Sequence, residues 1–219
     1  MAHLKRLVAP KTWGIKRKGI VFVTRQNPRA KSEFTVPMTV VLRDMLRVVN
    51  NESEARKVLR ERKIMVNGKV RLDRKFPVAL FDIVEIPSIG KKYQVTFTKL
   101  GRLTLAEVHK AAHRLLRIDG KTKISGGKTQ LNLFDGTNVL VPKDEYKVGD
   151  FVKVSIPDNK VSGKISAAEG SKILVIGGSH RGEVANIQSL HLGKTPKEVR
   201  LKNEAGEFLT RFNYIHLIE

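Results

Sequence analysis

The sequence predicts an α+β multidomain protein that is mostly β. Two amphipathic helical patterns lie close together in residues 38–62, strand-length runs rich in valine and isoleucine fill most of the remaining chain, and glycine, asparagine and aspartate separate these runs. The expected order is a basic N-terminal arm (1–37), a helix-helix-hairpin module (38–100), a central β domain (101–169) and a small C-terminal barrel (170–219).

The charge of the chain points to a polyanionic partner. Lysine and arginine number 42 against 21 acidic residues, which gives a formal charge of +21. Residues 1–110 hold 25 basic and 9 acidic residues, whereas residues 111–219 hold 17 and 12. Because such self-repulsion is relieved when a polyanion is bound, nucleic acid is the first candidate and an anionic membrane surface is the second.

Several classes of protein are disfavoured by composition. No run approaches the roughly 20 apolar residues that span a bilayer. The basic start of the chain is unlike an export signal. The absence of cysteine excludes disulfide scaffolds, thiol nucleophiles and cysteine-based zinc sites. We therefore expect a cytoplasmic protein without a membrane partner.

Residues 1–37 have one acidic residue, Glu33, against nine basic ones, and prolines at 10, 28 and 37 interrupt them. We expect an extended arm that lies along an RNA backbone. Trp13 could stack on a base or pack against the body of the protein, and the sequence leaves both open. The candidate RNA contacts of the arm are Lys5, Arg6, Lys11, Trp13, Lys16, Arg17, Lys18 and Arg25.

The module begins with two predicted helices. An apolar stripe from Val40 to Val49 indicates the first, with Arg43, Asp44 and Arg47 opposite. Asn51 and Glu54 form a capping pattern for the second, which we expect to run to Arg62 with Ala55, Val58 and Leu59 inward. A hairpin follows, turning at Asn67-Gly68, and residues 82–86 form a third strand.

Basic residues flank both helices and the hairpin, and this arrangement resembles the S-four-type RNA-binding module. The resemblance implies RNA contacts, mainly to phosphates; the alternative is a set of solvent-facing cations. The candidate residues are Arg43, Arg47, Arg56, Lys57, Arg60, Lys63, Asn67, Gly68, Lys69 and Arg71.

In the central domain, a capping pattern at Thr104 and Glu107 predicts a helix with Leu105, Val108, Ala112, Leu115 and Leu116 on its apolar face. Strands are predicted at residues 129–133, 138–141 and 151–156, and C-terminal strands at 172–176, 183–187, 198–202 and 208–217.

A glycine-rich loop between the first two C-terminal strands resembles the KOW motif of small SH3-like barrels. Its glycines would let backbone amides approach a ligand, and we expect a secondary contact to RNA or to a neighbouring protein. An ordinary glycine-rich hairpin is the alternative. The loop residues concerned are Gly177, Gly178, His180, Arg181 and Gly182.

Catalytic and metal motifs are incomplete. Gly126-Gly127-Lys128-Thr129 ends like a phosphate-binding loop, but Thr122 stands where its first glycine belongs. His109 and His113 have helical spacing without a third ligand, and Ser179-His180 lacks the hydrolase signature. We expect no enzymatic activity, no metal, no cofactor and no small-molecule substrate.

The order of segments resembles the small-subunit ribosomal S-four-e family. The opening His3-Leu4-Lys5-Arg6, Ala9-Pro10-Lys11 and Trp13 is similar to that family, as are residues 67–86 and 177–187. The resemblance implies a structural constituent of the ribosome that binds ribosomal RNA beside neighbouring small-subunit proteins. The chain stops just after its last predicted strand, from which we expect an archaeal member.

Two other functions stay open at this point. An RNA-modifying enzyme or its accessory subunit could carry the same module, although no catalytic carboxylate stands in a separate domain of adequate size. A basic protein that binds membrane surfaces or acts like a chaperone would bind anionic vesicles as tightly as structured RNA.

Overall fold

The computed structural model describes residues 3–109, 112–142, 144–191, 198–203 and 206–218, which divide between two compact units. Unit 1 contains residues 1–96, 102–114 and 156–158, and unit 2 contains residues 97–101, 115–155 and 159–219. Most of the regular structure is β, as predicted. Unit 1 groups the expected arm with the expected module, and unit 2 groups most of the central segment with the C-terminal one.

The described residues of unit 1 form a five-stranded sheet, two separate two-stranded sheets, two α-helices, a 3₁₀ turn at Lys11–Trp13 and a π-helical turn at Val41–Met45. The five-stranded sheet has the order β5-β4-β7-β8-β9, while β1 pairs with β2 and β3 with β6. The elements are β1 (Leu4–Lys5), β2 (Phe22–Val23), β3 (Thr35–Pro37), α1 (Met38–Val40), α2 (Glu52–Arg60), β4 (Met65–Val66), β5 (Lys69–Val70), β6 (Pro77–Ala79), β7 (Ile83–Ile86), β8 (Lys91–Phe97) and β9 (Leu103–Glu107).

Helix α2 begins at the predicted cap. The Asn51 side chain accepts a hydrogen bond from the Glu54 amide at 2.9 Å, and the Glu54 carboxylate accepts from the Asn50 amide at 2.8 Å. These bonds satisfy amides that a helix start otherwise leaves unpaired. Ala55 and Leu59 are fully buried and Val58 is half-buried, which confirms the predicted inward face.

The first predicted helix is shorter than the apolar stripe suggested. Helix α1 covers three residues and continues into a π-helical turn over Val41–Met45. Val40, Val41 and Leu42 are fully buried there. Arg47 has a φ of 55°, so the backbone has left the helical region before the stripe ends.

The hairpin between β4 and β5 turns where the sequence predicted. Asn67 and Gly68 have φ values of 52° and 72°, the positive pair that a tight type I′ turn requires. The partners across the hairpin are Met65 with Val70 and Val66 with Lys69. Glycine at the second position adopts this conformation without the Cβ strain of other residues.

Residues 3–37 differ from the expected extended arm, because they are packed into unit 1. Ala9, Trp13, Ile15 and Val23 are all at least nine-tenths buried. The Trp13 indole N–H donates to the Thr35 carbonyl at 2.8 Å. Burial of these apolar side chains is favourable, so the segment folds onto the body of the unit although its charge is one-sided.

Unit 2 contains two five-stranded sheets of order β12-β11-β10-β13-β14 and β18-β17-β16-β15-β19. The first two residues of β10 are grouped with unit 1. The strands are β10 (His113–Lys123), β11 (Thr129–Leu133), β12 (Asn138–Val141), β13 (Phe151–Ser155), β14 (Val161–Ile165), β15 (Lys172–Val175), β16 (Val184–His191), β17 (Glu198–Asn203), β18 (Gly206–Arg211) and β19 (Ile215–Leu217). Strands 129–133 and 138–141 match the predicted bounds, and the single predicted strand 208–217 is two strands joined by a 3₁₀ turn.

The helix predicted from Thr104 is wrong. Residues 103–107 form β9 and residues 113–123 form β10, while residues 110 and 111 of the predicted helix lie outside the described residues. In β10, Arg114, Leu116 and Ile118 are buried on one face of the strand, and Arg117 on the other face is buried as well. Two buried arginines and burial on both faces hide the alternation that would have indicated a strand.

The core of unit 2 is shared by both sheets. Phe151 of β13 belongs to the same buried cluster as Ile173, Val199, Leu201 and Ile215.

The described part of the chain has no helix with the length and apolar content needed to cross a bilayer.

Candidate nucleic-acid interface

Helix α2 presents a basic outer face. Because Ala55 and Leu59 point into the core, Arg56, Lys57 and Arg60 are exposed on the other side. Arg56 pairs with Glu52 at 2.8 Å, and this pair is exposed on both sides, so it holds the guanidinium only weakly. The face is therefore open to phosphate oxygens.

The connection after α2 extends this face. Arg62 and Lys63 are exposed, and Arg62 was not among the predicted contacts. Lys63 pairs with Glu61 at 2.6 Å, and its hydrogen bond and charge lower the pKa of the Glu61 carboxyl. Arg62 directly follows the C-terminal cap residue of α2 and has a φ of 57°. Helices often end with a residue in this left-handed conformation, but the sequence indicates it clearly only when that residue is glycine.

The hairpin contributes less surface than expected. Lys69 is exposed, but Asn67 is 7% exposed and Gly68 packs so closely that a Cβ added there would lie 2.8 Å from the Pro157 Cβ. Arg71 lies over the Phe76 ring, with its guanidinium carbon 4.4 Å from the centroid. Burial lowers the pKa of Arg71, and the nearby charge of Arg29 lowers it further. Asn67 and Gly68 therefore shape the turn and are not free at its tip.

A buried carboxylate organises the base of the hairpin. Asp82 accepts hydrogen bonds from the Asn67 amide at 2.8 Å, from Arg114 at 2.7 Å and from the Ala79 backbone amide at 2.8 Å. Arg29 forms a further ion pair with it. The Asn67 side chain in turn accepts from the Ile83 amide at 2.9 Å. This network fixes the conformation on which Lys69 and Arg71 depend, and pattern reasoning did not find it.

In residues 3–25, the cations divide into structural and exposed ones. Arg6 is 3% exposed, and its guanidinium donates to the Lys16 carbonyl at 2.8 Å. Arg17 donates to the carbonyls of Leu7 and Ala9 at 2.9 and 3.1 Å. The predicted contacts that remain exposed are Lys5, Lys11, Lys16, Lys18 and Arg25.

Trp13 packs against the protein, one of the two roles that the sequence left open. It is 2% exposed, and its indole N–H is held by backbone carbonyls. A ring buried in this way presents no face to a nucleobase, so Trp13 packs inside the protein and does not stack on RNA in this conformation.

Two arginines of the first helical segment differ in how far their side chains are exposed to a phosphate. Arg43 is half-buried and its guanidinium binds the neighbouring Asp44 carboxylate at 2.7 Å. Arg47 is exposed. Arg47 is therefore the better placed of the two to contact a phosphate.

The glycine-rich loop of unit 2 packs against its own chain. A Cβ on Gly182 would lie 2.0 Å from the Thr98 carbonyl oxygen, and one on Gly177 would lie 2.5 Å from the Tyr214 ring. His180 stacks on Phe208 with ring centroids 4.0 Å apart and bonds Glu183 at 3.1 Å. Arg181 is half-buried, with its side chain against Gly101. The glycines at 177 and 182 permit close packing within the protein, whereas the sequence suggested an approach to a ligand.

The other catalytic and metal patterns lie in ordinary positions. Gly126 and Gly127 form the turn between β10 and β11, so no helix follows them as in a phosphate-binding loop. His109 and His113 do not share a helix. The part of the chain that is described contains no group of three or more histidine, aspartate or glutamate side chains able to hold a metal.

Comparison with known proteins places the chain in a family. A sequence-family model described as ribosomal family S4e matches residues 89–161, and a second family model, described as the RS4NT (NUC023) domain, matches residues 2–28. The small ribosomal subunit protein eS4 of Archaeoglobus fulgidus is 38% identical over 218 residues, covering 99% of this chain and 92% of that protein. The chain belongs to ribosomal family S4e.

Other members of family S4e agree in sequence and structure. The eS4 protein of Methanocella arvoryzae is 38% identical and covers 99% of this chain and 93% of its own length. The crystal structure of the 30S ribosomal protein S4e from Thermoplasma acidophilum superposes with a TM-score of 0.70 at 29% identity, covering 84% of this chain and 94% of that one. The resemblance inferred from the opening residues and segment order is thereby confirmed.

Membership of family S4e also bears on the alternatives. The relatives described above are named as ribosomal proteins, so the comparisons give no support to an RNA-modifying enzyme. These relatives come from archaea, in keeping with the expected archaeal type.

Proposed function

We propose that this chain is a structural constituent of the small ribosomal subunit that binds ribosomal RNA, in the cytoplasm, without catalysing a reaction. The names of its relatives support the assignment to the small subunit. The observation that carries the RNA-binding mechanism is the exposed basic face of α2, which continues into the exposed Arg62 and Lys63 directly after the helix.

The interface that we propose is made of exposed lysines and arginines of unit 1. They would contact phosphates and read the shape of folded RNA rather than its base sequence. Arg17, Arg43 and Arg71 are half-buried and would contribute from the edges, while Arg6, Trp13, Asn67 and Gly68 support the surface from within. The proposed contact residues are Lys5, Lys11, Lys16, Lys18, Arg25, Arg47, Arg56, Lys57, Arg60, Arg62, Lys63 and Lys69.

The finer domain assignments also belong to this proposal. The segment from α1 to β7 is interpreted as the S-four-type module, because two short helices precede a hairpin with basic flanks. The sheet β18-β17-β16-β15-β19 is interpreted as the KOW-type SH3-like barrel. Since its glycine loop packs internally, we assign a secondary contact with RNA or a neighbouring ribosomal protein to the exposed residues around it.

The salt dependence of RNA affinity tests this mechanism. Each phosphate contact releases counterions, so the affinity should fall steeply between low and moderate salt. Replacing Arg56, Lys57 and Arg60 by glutamine should flatten the slope of log K against log salt by about 2. The matched control replaces the exposed Lys121, Lys147 and Lys172 of unit 2 by glutamine and should leave the slope unchanged.

The probe is small-subunit ribosomal RNA of an archaeon, and binding is measured by filter retention at several salt concentrations. An affinity that hardly varies with salt, or equal flattening by both triple variants, would contradict the proposed interface. Equal affinity for anionic lipid vesicles would favour the membrane-surface alternative.

A further inference from the structure

Unit 1 contains a pocket of about 560 Å³ beside the strand pair β1-β2. Its walls come from residues 3–4, 22–28 and 74–75, together with Arg43 and Glu52. The volume lies within the range of roughly 300–1,000 Å³ in which small-molecule sites fall. It is therefore large enough for a group such as one nucleotide.

The pocket is cationic and has an aromatic wall. Arg25, Arg43, Arg74 and Lys75 line it, with Arg43 paired to Asp44, and Glu52 is the only carboxylate among its lining residues. Glu52 is held by Arg74 in an ion pair. The Phe22 ring is 50% exposed and lies 5.3 Å from the His3 ring between centroids, tilted by 49°. Positive charge beside a half-exposed ring suits a ligand with a phosphate and a flat base.

We propose that this pocket takes a single nucleotide extruded from the bound RNA. Its base would lie against Phe22, and its phosphate would lie beside Arg25 and Lys75. The inference rests on the proposed function, since the rest of the RNA would be held by the exposed cations of unit 1. An acidic peptide fits less well, because its carboxylate side chains carry no flat ring to lie against Phe22.

Two RNA probes test the pocket with the full chain. One is a stem-loop with a single bulged 2-aminopurine nucleotide, and the other is the same stem without the bulge. The wild-type protein should bind the bulged stem more tightly by about 5-fold or more, the effect of stacking one base on an aromatic ring. The fluorescence of the 2-aminopurine should change on binding, because its stacking partners change.

The variants separate the pocket from general RNA binding. Phe22→Ala should remove the preference for the bulge and leave the affinity for the plain stem within about 2-fold, since the phosphate contacts elsewhere are unchanged. Val21→Ala is the matched control, because Val21 is 61% exposed next to Phe22 and does not line the pocket.

The outcomes distinguish this inference from the function on which it rests. Tight binding of both stems with equal affinity, or a bulge preference that survives Phe22→Ala, would overturn the pocket and leave the RNA-binding mechanism standing. Failure to bind either stem would overturn both. Adenosine monophosphate should not displace the bulged RNA at millimolar concentration, and displacement would assign the pocket to a free nucleotide and overturn the proposal.

Discussion

Arg114 Nη1 lies 2.7 Å from Asp82 Oδ1, and both side chains are completely buried. Asp82 is also bound by Arg29 and Asn67, so one carboxylate connects the start of β10, the segment after β2 and the β4-β5 turn. Buried charges are tolerated only where such partners surround them. The pair therefore decides whether unit 1 keeps the conformation that presents its cations.

Replacing Asp82 by alanine should lower the free energy of unfolding of unit 1 by about 3–5 kcal/mol, since two arginines would lose their buried counter-charge. Urea denaturation followed by Trp13 fluorescence measures this change, because Trp13 is the single tryptophan and lies in unit 1. Glu107→Ala is the control within unit 1: Glu107 pairs with Lys91 but is 46% exposed, and its loss should cost about 0–1 kcal/mol. Similar losses in both variants would show that the Asp82 network is not decisive.

Trp13 fluorescence should report folding but not RNA contact. Its ring is buried and its N–H is bonded to the Thr35 carbonyl, so iodide should quench its emission weakly. Saturating the protein with ribosomal RNA should leave the emission intensity nearly unchanged. Strong quenching by RNA at stoichiometric concentrations would mean that the tryptophan is exposed in the complex and stacks on a base.

His216 should make unit 2 lose stability in mild acid. Burial lowers the pKa of His216 to about 3, although its hydrogen bond to the Leu217 carbonyl acts in the opposite direction. The unfolded chain takes up this proton near the ordinary value of 6.5, so stability is complete above that pH and decreases as the pH falls toward 3. At pH 5 the loss is on the order of 2 kcal/mol.

The measurement is the urea midpoint of unit 2 between about pH 7 and pH 5, compared between the wild type and His216→Leu. The variant should be less stable at neutral pH, but its midpoint should change less with pH. If His216→Leu keeps the wild-type slope, the histidine is not the group that titrates.

Alanine substitutions at Gly178 and Gly182 of the glycine-rich loop should lower the stability of the protein by different amounts. Gly178 and Gly182 both have positive φ, 82° and 92°, but only a Cβ on Gly182 would collide with backbone, at 2.0 Å from the Thr98 oxygen. Gly178→Ala should cost about 1–2 kcal/mol from backbone strain alone, and Gly182→Ala about 3 kcal/mol or more. Thermal denaturation followed by circular dichroism compares them, and equal melting temperatures would contradict the packing described for Gly182.

Local signals in the sequence predicted the local structure well. The cap at Asn51 and the turn at Asn67-Gly68 depend on neighbouring residues, and both form as predicted. Strands β11 and β12 form at the residues predicted for them. Because side chains in a strand alternate between the two faces of the sheet, four or five neighbouring residues are enough to show the pattern.

The errors arose where distant contacts determine the structure. Arg29 and Asp82 are 53 residues apart, and no periodic pattern connects them. Arg114 occupies an inward strand position, where Asp82 neutralises it. The apolar residues interpreted as one helical face belong instead to two separate strands, β9 and β10. For the candidate site, the exposed cations of α2 followed from amphipathicity, whereas the burial of Arg6 and Trp13 could not be read from a segment so rich in charge.

Crosslinking within assembled small subunits tests the central claim most directly. Subunits containing this protein are irradiated with ultraviolet light, and the peptides attached to ribosomal RNA are identified by mass spectrometry. We expect the protein to sediment with the subunit and its crosslinks to concentrate in residues 5–71, on the exposed basic side chains of unit 1. Crosslinks confined to residues 115–155 and 159–218, with none in residues 5–71, would contradict it.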